Sequence, residues 1–266
     1  MIDLTKIDYS ELDVPAVLSL IFYPRPDFGP PGDTGLDLLI PVEAGIKVGA
    51  RFHPAGRESP CILFFHGNGE IAADYDDLAP LFNRLEAGFL PVDYRGYGRS
   101  GGRPTVTGMI RDAHVILPWV RDWLNHEGYP GPLVVMGRSL GSASALELAH
   151  HYPDLVAGLI VESGFGRVEP LLALLGVDPG IIGKKSRLEN TAKISAYTGP
   201  TLIIHAEYDH LLPLAHGQAL FEAAGAADKT LLKIPGADHN DIFLKGMDEY
   251  LRAVSALLVK VKTRAG

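Results

Sequence analysis

Between Leu133 and Ala149 the chain reads LVVMGRSLGSASALELA. Four apolar residues, Leu133 to Met136, give way at Gly137-Arg138-Ser139-Leu140-Gly141 to a stretch rich in alanine and leucine. This predicts a strand, a sharp turn and a helix, with Ser139 at the turn. A serine at the top of so tight a turn sits in strained backbone space, and a Cβ at Gly137 or Gly141 collides with the neighbouring element. The turn lifts the Ser139 hydroxyl clear of the sheet. It also sets the Leu140 N–H at a helix N-terminus, where an oxyanion can be held. The same five letters suit an N-cap serine between turn glycines, so the surrounding pattern has to decide.

That pattern is an alternation of apolar strands with amphipathic helices. Strands are expected at Cys61 to Phe65, Phe89 to Asp93, Leu133 to Met136, Leu155 to Val161, Thr201 to His205 and Thr230 to Ile234. Helices are expected at Tyr75 to Leu85, Thr105 to His126, Leu140 to His151, Pro213 to Ala224 and Asp241 to Val261. Strands buried on both faces and separated by helices mean an α/β fold, with a mostly parallel central sheet and helices on both faces. Ahead of this series, Leu36 to Val42 and Ile46 to His53 flank a Glu43-Ala44-Gly45 turn and read as an antiparallel hairpin at a sheet edge. Residues 1–35 read as an irregular arm, with a short helix possible over Leu12 to Phe22 before the proline- and glycine-rich run to Gly32. Residues 36–266 read as one domain.

One segment breaks the rhythm. Gly164 to Ala196 is too long for a plain crossover and carries Leu171, Leu172, Leu174, Leu175, Ile181 and Ile182. An insertion at this point, about 164–196, predicts a small cap over the carboxyl ends of the strands, where open α/β sheets bind ligands. At helical spacing Leu171, Leu174 and Leu175 share one face. That face either anchors the cap on the sheet or roofs an apolar substrate pocket.

A serine hydroxyl is a poor nucleophile at neutral pH and needs a base, and the base needs an orienting acid. Of ten histidines, His239 stands out. It follows the Pro235-Gly236-Ala237-Asp238 turn after the last strand, on the rim where Ser139 is expected. Asp209 follows the strand Thr201 to His205 by a few residues and reaches the same rim. Glu207, Asp238 and Asp241 compete for the acid's place, but Glu207 is close to its strand end and the other two flank the histidine. The order Ser139, Asp209, His239 is that of a nucleophile elbow with its acid and base. A second oxyanion donor is expected in His66-Gly67-Asn68-Gly69, with the Asn68 N–H first and Gly69 in reserve; His66 itself reads as a structural residue bonding within its own loop.

Taken together, Phe65 to Gly69, Asp93-Tyr94-Arg95-Gly96-Tyr97-Gly98-Arg99-Ser100-Gly101-Gly102, Gly137 to Gly141, Glu207 to Pro213 and Pro235 to Asp241 resemble the α/β-hydrolase superfamily. The sequence is most similar to its branch of small intracellular serine hydrolases, which includes depalmitoylating thioesterases. The likeness runs from about Leu36 onward. It implies the α/β-hydrolase fold, with Ser139 as nucleophile, Asp209 as acid, His239 as base, and Leu140 with Asn68 as the oxyanion hole. It further implies that the Asp93 to Gly102 loop is structural, with Arg95 held in a salt bridge. Gly69, Leu171, Leu174, Leu175 and Ile181 are the expected substrate-pocket residues. The depalmitoylating members carry an N-terminal cysteine cluster for membrane attachment, and the only cysteine here is Cys61, within an apolar strand.

The expected activity is hydrolysis of carboxylic esters or thioesters through an acyl-enzyme, with a small-molecule substrate and neither cofactor nor metal. Amide cleavage by an aminopeptidase is the rival, for which Glu162 is the one evident acid to hold a substrate amine. A binding protein on the same fold is a further alternative. A net charge of −8 and sparse basic clusters speak against nucleic acid. No apolar run reaches the roughly 18 residues of a membrane span, so stable membrane insertion is not expected. The acids of MIDLTKIDYSELDV do not suit a signal peptide, and a lone buried thiol suits the cytoplasm. Oligomeric state is left open by the sequence.

Overall fold

A computed structural model describes residues 2–29, 35–174, 176–178, 180 and 188–265. Its centre is an eight-stranded sheet in the order β1-β2-β4-β3-β5-β6-β7-β8. The strands are β1 (Leu36–Glu43), β2 (Ile46–Phe52), β3 (Cys61–Phe65), β4 (Gly88–Val92), β5 (Leu133–Arg138), β6 (Gly158–Glu162), β7 (Thr201–Ala206) and β8 (Lys229–Ile234). β1 and β2 form the antiparallel hairpin, β2 joins β4 antiparallel, and every pairing from β4 to β8 is parallel. Every residue of β3, β4, β6 and β7 is buried. Helices on both faces therefore cover them, as continuous apolar runs require.

Those helices are α1 (Pro15–Ile21), α2 (Ala79–Arg84), α3 (Val106–His126), α4 (Ser142–His151), α5 (Val168–Leu174), α6 (Asn190–Ala196), α7 (Ala215–Ala223) and α8 (Ile242–Ala265). Thr105 caps α3, its hydroxyl accepting the Gly108 N–H at 2.9 Å. α8 breaks helical geometry at Gly246, where a Cβ would lie 2.5 Å from Ile234 Cγ2 on β8. The insertion between β6 and β7 contributes α5 and α6. Phe165, Val168, Leu172, Leu188 and Ile194 tie it into the larger core cluster.

The residues ahead of β1 are docked on the sheet domain. Ile7, Leu12, Val17 and Phe22 are buried in the same core as β3 and β5. Asp13 accepts the N–H of Val106 at 2.6 Å, adding a carboxylate to the first turn of α3, and Arg111 reaches the Ile7 carbonyl at 2.7 Å. Past α1 the segment crosses the loop that follows β3. The Tyr23 N–H donates to Asn68 Oδ1 at 2.7 Å, and Arg25 Nε donates to the Gly69 carbonyl at 2.9 Å.

Candidate active site

The carboxyl ends of β3, β5, β6, β7 and β8 share one rim, and the chemistry-bearing residues lie on the loops that leave it. β5 ends in the turn Ser139–Gly141, which passes directly into α4. Ser139 has φ +51°, a left-handed backbone that a side chain rarely adopts. The turn closes only because its glycines are bare. A Cβ on Gly137 would lie 2.3 Å from the Gly141 carbonyl oxygen, and one on Gly141 would lie 2.0 Å from that of Phe65.

Ser139 Oγ is 3.1 Å from His239 Nε2, and His239 Nδ1 is 2.7 Å from Asp209 Oδ2. Asp209 is fully shielded from solvent, and its other oxygen accepts the N–H groups of Leu211 at 3.0 Å and Leu212 at 2.7 Å. Burial pushes this carboxyl up. The hydrogen bond and charge of His239, with the Leu212 N–H, outweigh that and hold it below the usual carboxylate range. His205 lies beneath, its Nε2 at 2.7 Å from the Leu212 carbonyl. Burial lowers the affinity of its ring for a proton.

The competing acids are engaged elsewhere. Glu207 pairs with Lys233 at 2.7 Å and accepts the Gly236 N–H at 2.9 Å. Asp238 faces His210, and Asp241 accepts the Asp238 N–H at 2.6 Å. His66 Nδ1 is 2.8 Å from the Gly67 carbonyl in its own loop. Arg95 pairs with Asp112 and with Glu43, each at 2.7 Å. Asn68 is held by its side chain, since Oδ1 accepts from Tyr23 N–H and from the Tyr97 hydroxyl at 2.8 Å. Gly69, at φ +77°, turns the chain beside Tyr23. In α5, Leu172 is wholly buried and Leu171 half-buried against the core. The side chain of Leu174, with Leu175 and Ile181, lies outside the described residues.

Sequence reasoning assigned nothing to Arg138, the residue between the elbow glycine and the serine. It is the hub of the rim. Its Nε is 3.0 Å from Glu162 Oε1, its Nη1 bonds Glu70 Oε1, and its Nη2 donates to the His239 carbonyl at 2.9 Å. Glu162 also accepts the Tyr250 hydroxyl at 2.6 Å. The signal was present: an arginine closing a buried parallel strand has to find carboxylates, because an unpaired buried charge is prohibitive.

The other unforeseen cluster lies on the far end of α4. His114, Glu147 and His151 bring three metal-capable atoms within 4.8 Å of one another. Glu147 Oε1 is 3.0 Å from His114 Nε2 and 3.1 Å from His151 Nε2, while Lys193 Nζ is 2.8 Å from Oε2. The ammonium already answers the carboxylate's charge, and a divalent ion there would face it. The cluster is a polar network around the buried Glu147, with His151 at its exposed edge, tying α3, α4 and α6.

Comparison with known proteins agrees with this architecture. A family model described as serine aminopeptidase, S33, matches residues 56–181. The alpha/beta hydrolase domain-containing protein 17B of Homo sapiens is 31% identical over 192 residues, covering 70% of this chain and 62% of that protein. In sequence the chain is similar to members of the α/β-hydrolase superfamily, and it has their fold. An uncharacterised protein of Mycobacterium tuberculosis is 29% identical over 213 residues, covering 78% of this chain and 73% of its own. Among solved structures, the α/β-hydrolase fold recurs in the esterase Pf2001 of Pyrococcus furiosus, with a TM-score of 0.74 at 18% identity over 90% of this chain and 98% of that one. A monoacylglycerol lipase of Paleococcus ferrophilus gives 0.63 at 19% identity over 80% and 99%. The superfamily is one of hydrolases. Among the described residues no helix is long and apolar enough to cross a membrane.

Proposed function

We propose that this hydrolase is a serine hydrolase that cleaves carboxylic esters or thioesters of small molecules through an acyl-enzyme. The observation that carries this reading is the unbroken chain from Ser139 through His239 to the buried Asp209. In the proposed cycle Ser139 Oγ attacks the substrate carbonyl carbon as its proton passes to His239 Nε2. Asp209 accepts from Nδ1–H, which fixes the tautomer and stabilises the imidazolium. The N–H groups of Leu140 and Asn68 hold the oxyanion. His239 then gives its proton to the departing alkoxide or thiolate, and the acyl group stays on Ser139. Water, deprotonated by His239, attacks that ester and releases the acid.

Amide cleavage is the second reading, favoured by the description of the matching family. Against it stands Glu162, which is buried and already shared between Arg138 and Tyr250. It has no charge to spare for a substrate ammonium. The half-buried Leu171, on the insertion, is assigned to the acyl side of the pocket, and Gly69 to its oxyanion side. The proposed setting is the reducing cytoplasm, in keeping with the buried thiol of Cys61.

The test is covalent labelling with a fluorophosphonate, followed by turnover of p-nitrophenyl esters, acyl thioesters and amino-acid anilides. One label on Ser139, absent from Ser139→Ala, with esters or thioesters turned over faster than anilides, is the expected result. Labelling that persists in Ser139→Ala, or that lands on the fully buried Ser163, overturns the assignment of the nucleophile. Preferred anilides would move the protein to the amide reading. A chain that neither labels nor turns over is a binding protein.

A further inference from the structure

The guanidinium of Arg138 is bonded on three sides, and each side leads to a different piece of the rim. Arg138 and Glu162 are register partners on β5 and β6, so their pairing links the strand that carries the nucleophile to its neighbour. Glu70 takes Nη1 with one oxygen. With the other it accepts the Gly67 N–H at 2.7 Å and the Tyr75 hydroxyl at 2.6 Å. Gly67 immediately precedes Asn68, and the space at its Cα is filled: a Cβ would lie 2.8 Å from Arg138 Nη1 and 2.9 Å from Glu70 Oε2. The third bond, from Nη2, reaches the backbone carbonyl of His239 itself.

A charge buried only for stability needs a carboxylate, and Glu162 on the adjacent strand supplies it. Neither the bond to the histidine's main chain nor the tie through Glu70 to the peptide before Asn68 is required for that. We infer that Arg138 is a positioning residue that holds the base-bearing loop and the oxyanion loop in register with Ser139. It touches no substrate. It acts through His239 and through Gly67-Asn68, and the inference rests on the reading of Ser139 and His239 given above. Bonds of this kind transmit small displacements into large rate losses, because reacting atoms displaced by about 1 Å lose on the order of 10²-fold in rate. Reactant binding, which depends on other walls of the pocket, is left nearly unchanged.

The test compares Arg138→Met, Arg138→Lys and the control Arg95→Met with the parent, each counted by fluorophosphonate titration so that turnover is expressed per competent site. Arg95 is the apt control because it also bridges two acids, Asp112 and Glu43, but bonds neither catalytic loop. In Arg138→Met, kcat is expected to fall about 10²-fold with KM within roughly threefold. Arg138→Lys keeps the buried charge while losing the fork, and is expected to fall about tenfold. Arg95→Met is expected to lower Tm with kcat per site unchanged. A cavity of about 220 Å³ adjoins Arg138, lined by Phe64, Tyr75, Phe89 and Met136 among others. Millimolar guanidinium is therefore expected to restore part of kcat in Arg138→Gly and to leave the unchanged kcat of Arg95→Met as it was. If Arg138→Met fails to fold, Arg138→Lys and the double variant Arg138→Met/Glu162→Gln, which leaves no partnerless acid on β6, decide the matter. Parental kcat per titrated site in any folded Arg138 variant overturns the inference while leaving the nucleophile assignment intact. A parent enzyme that does not label at Ser139 overturns the reading beneath it instead.

Discussion

Replacing Asp209 with asparagine probes the site at one atom. Both N–H groups that reach this side chain, from Leu211 and Leu212, converge on Oδ1, and only Oδ2 faces His239. An asparagine there has to keep its oxygen toward the two amides. Turning it over would aim its NH₂ at both N–H groups and leave the buried Leu212 N–H without an acceptor, at about 1–3 kcal/mol. That penalty of roughly 1–3 kcal/mol favours one orientation of the amide and directs its NH₂ at His239 Nδ1. The imidazole must then present a lone pair at Nδ1 and its proton at Nε2, so Ser139 Oγ meets a donor where it needs an acceptor. The same tautomer error costs serine proteases about 10⁴ in kcat, equivalent to roughly 5.5 kcal/mol of barrier. The assay is kcat on a p-nitrophenyl ester, with circular dichroism and Tm as controls for folding. Glu207→Gln serves as the comparison, since the Glu207 side chain is engaged by Lys233 and Gly236. A loss below tenfold in folded Asp209→Asn, or an equal loss in Glu207→Gln, refutes the assignment of the acid.

Other outcomes follow from the packing and the ion networks. Burial pushes the Glu147 carboxyl up, but the hydrogen bonds from His114 and His151 and the Lys193 charge prevail and hold it far below the usual range. A depressed folded-state value means stability present above the unfolded carboxylate value of about 4.3 and lost as pH falls below it. Chemical denaturation between neutral and acid pH should thus be steeper for the parent than for Glu147→Gln. Leu172→Ala should lose about 2–5 kcal/mol of stability, as a fully buried leucine does, whereas Leu171→Ala should alter acyl-chain selectivity in kcat/KM with a much smaller change in Tm. Cys61 is buried, and burial pushes its thiol well up; a thiol reagent should modify it in denaturant and leave the native protein untouched. Gly141→Ala should abolish the soluble fold or the labelling of Ser139, because the added Cβ strikes backbone at 2.0 Å.

The sheet was legible because its strands are buried on both faces, so each appears as an unbroken apolar run between glycines, prolines and helical stretches. Element ends were less legible. Leu155 to Ala157 read as strand, but β6 opens at Gly158, since apolar residues that merely approach a sheet look like those within it. Tyr75 to Leu85 read as one helix. The chain instead makes a short turn over Ala72–Tyr75 and a separate α2. Ser139, Asp209 and His239 stood out because each follows a strand on a common rim, which strand order alone dictates. Arg138, Glu70 and the Tyr23–Asn68 contact did not, because their partners lie 24 to 101 residues away. Nothing in local periodicity encodes such pairings. The His114–Glu147–His151 group was hidden for the same reason, although Glu147 and His151 stand one helical turn apart on α4.

The docking of the segment before β1 has a consequence for how competence is acquired during synthesis. Tyr23 and Arg25 leave the ribosome before the loop they brace at Asn68 and Gly69, and long before His239. Until Gly98 and Tyr97 emerge to complete their seat, they have nothing to hold. The Ser139 turn in turn stays without His239 until β8 and the loop beyond it have been made. Catalytic power in a chain arranged this way cannot switch on in stages. Under the proposed mechanism it arrives with the docking of segments far apart in sequence, so that turnover itself reports finished folding.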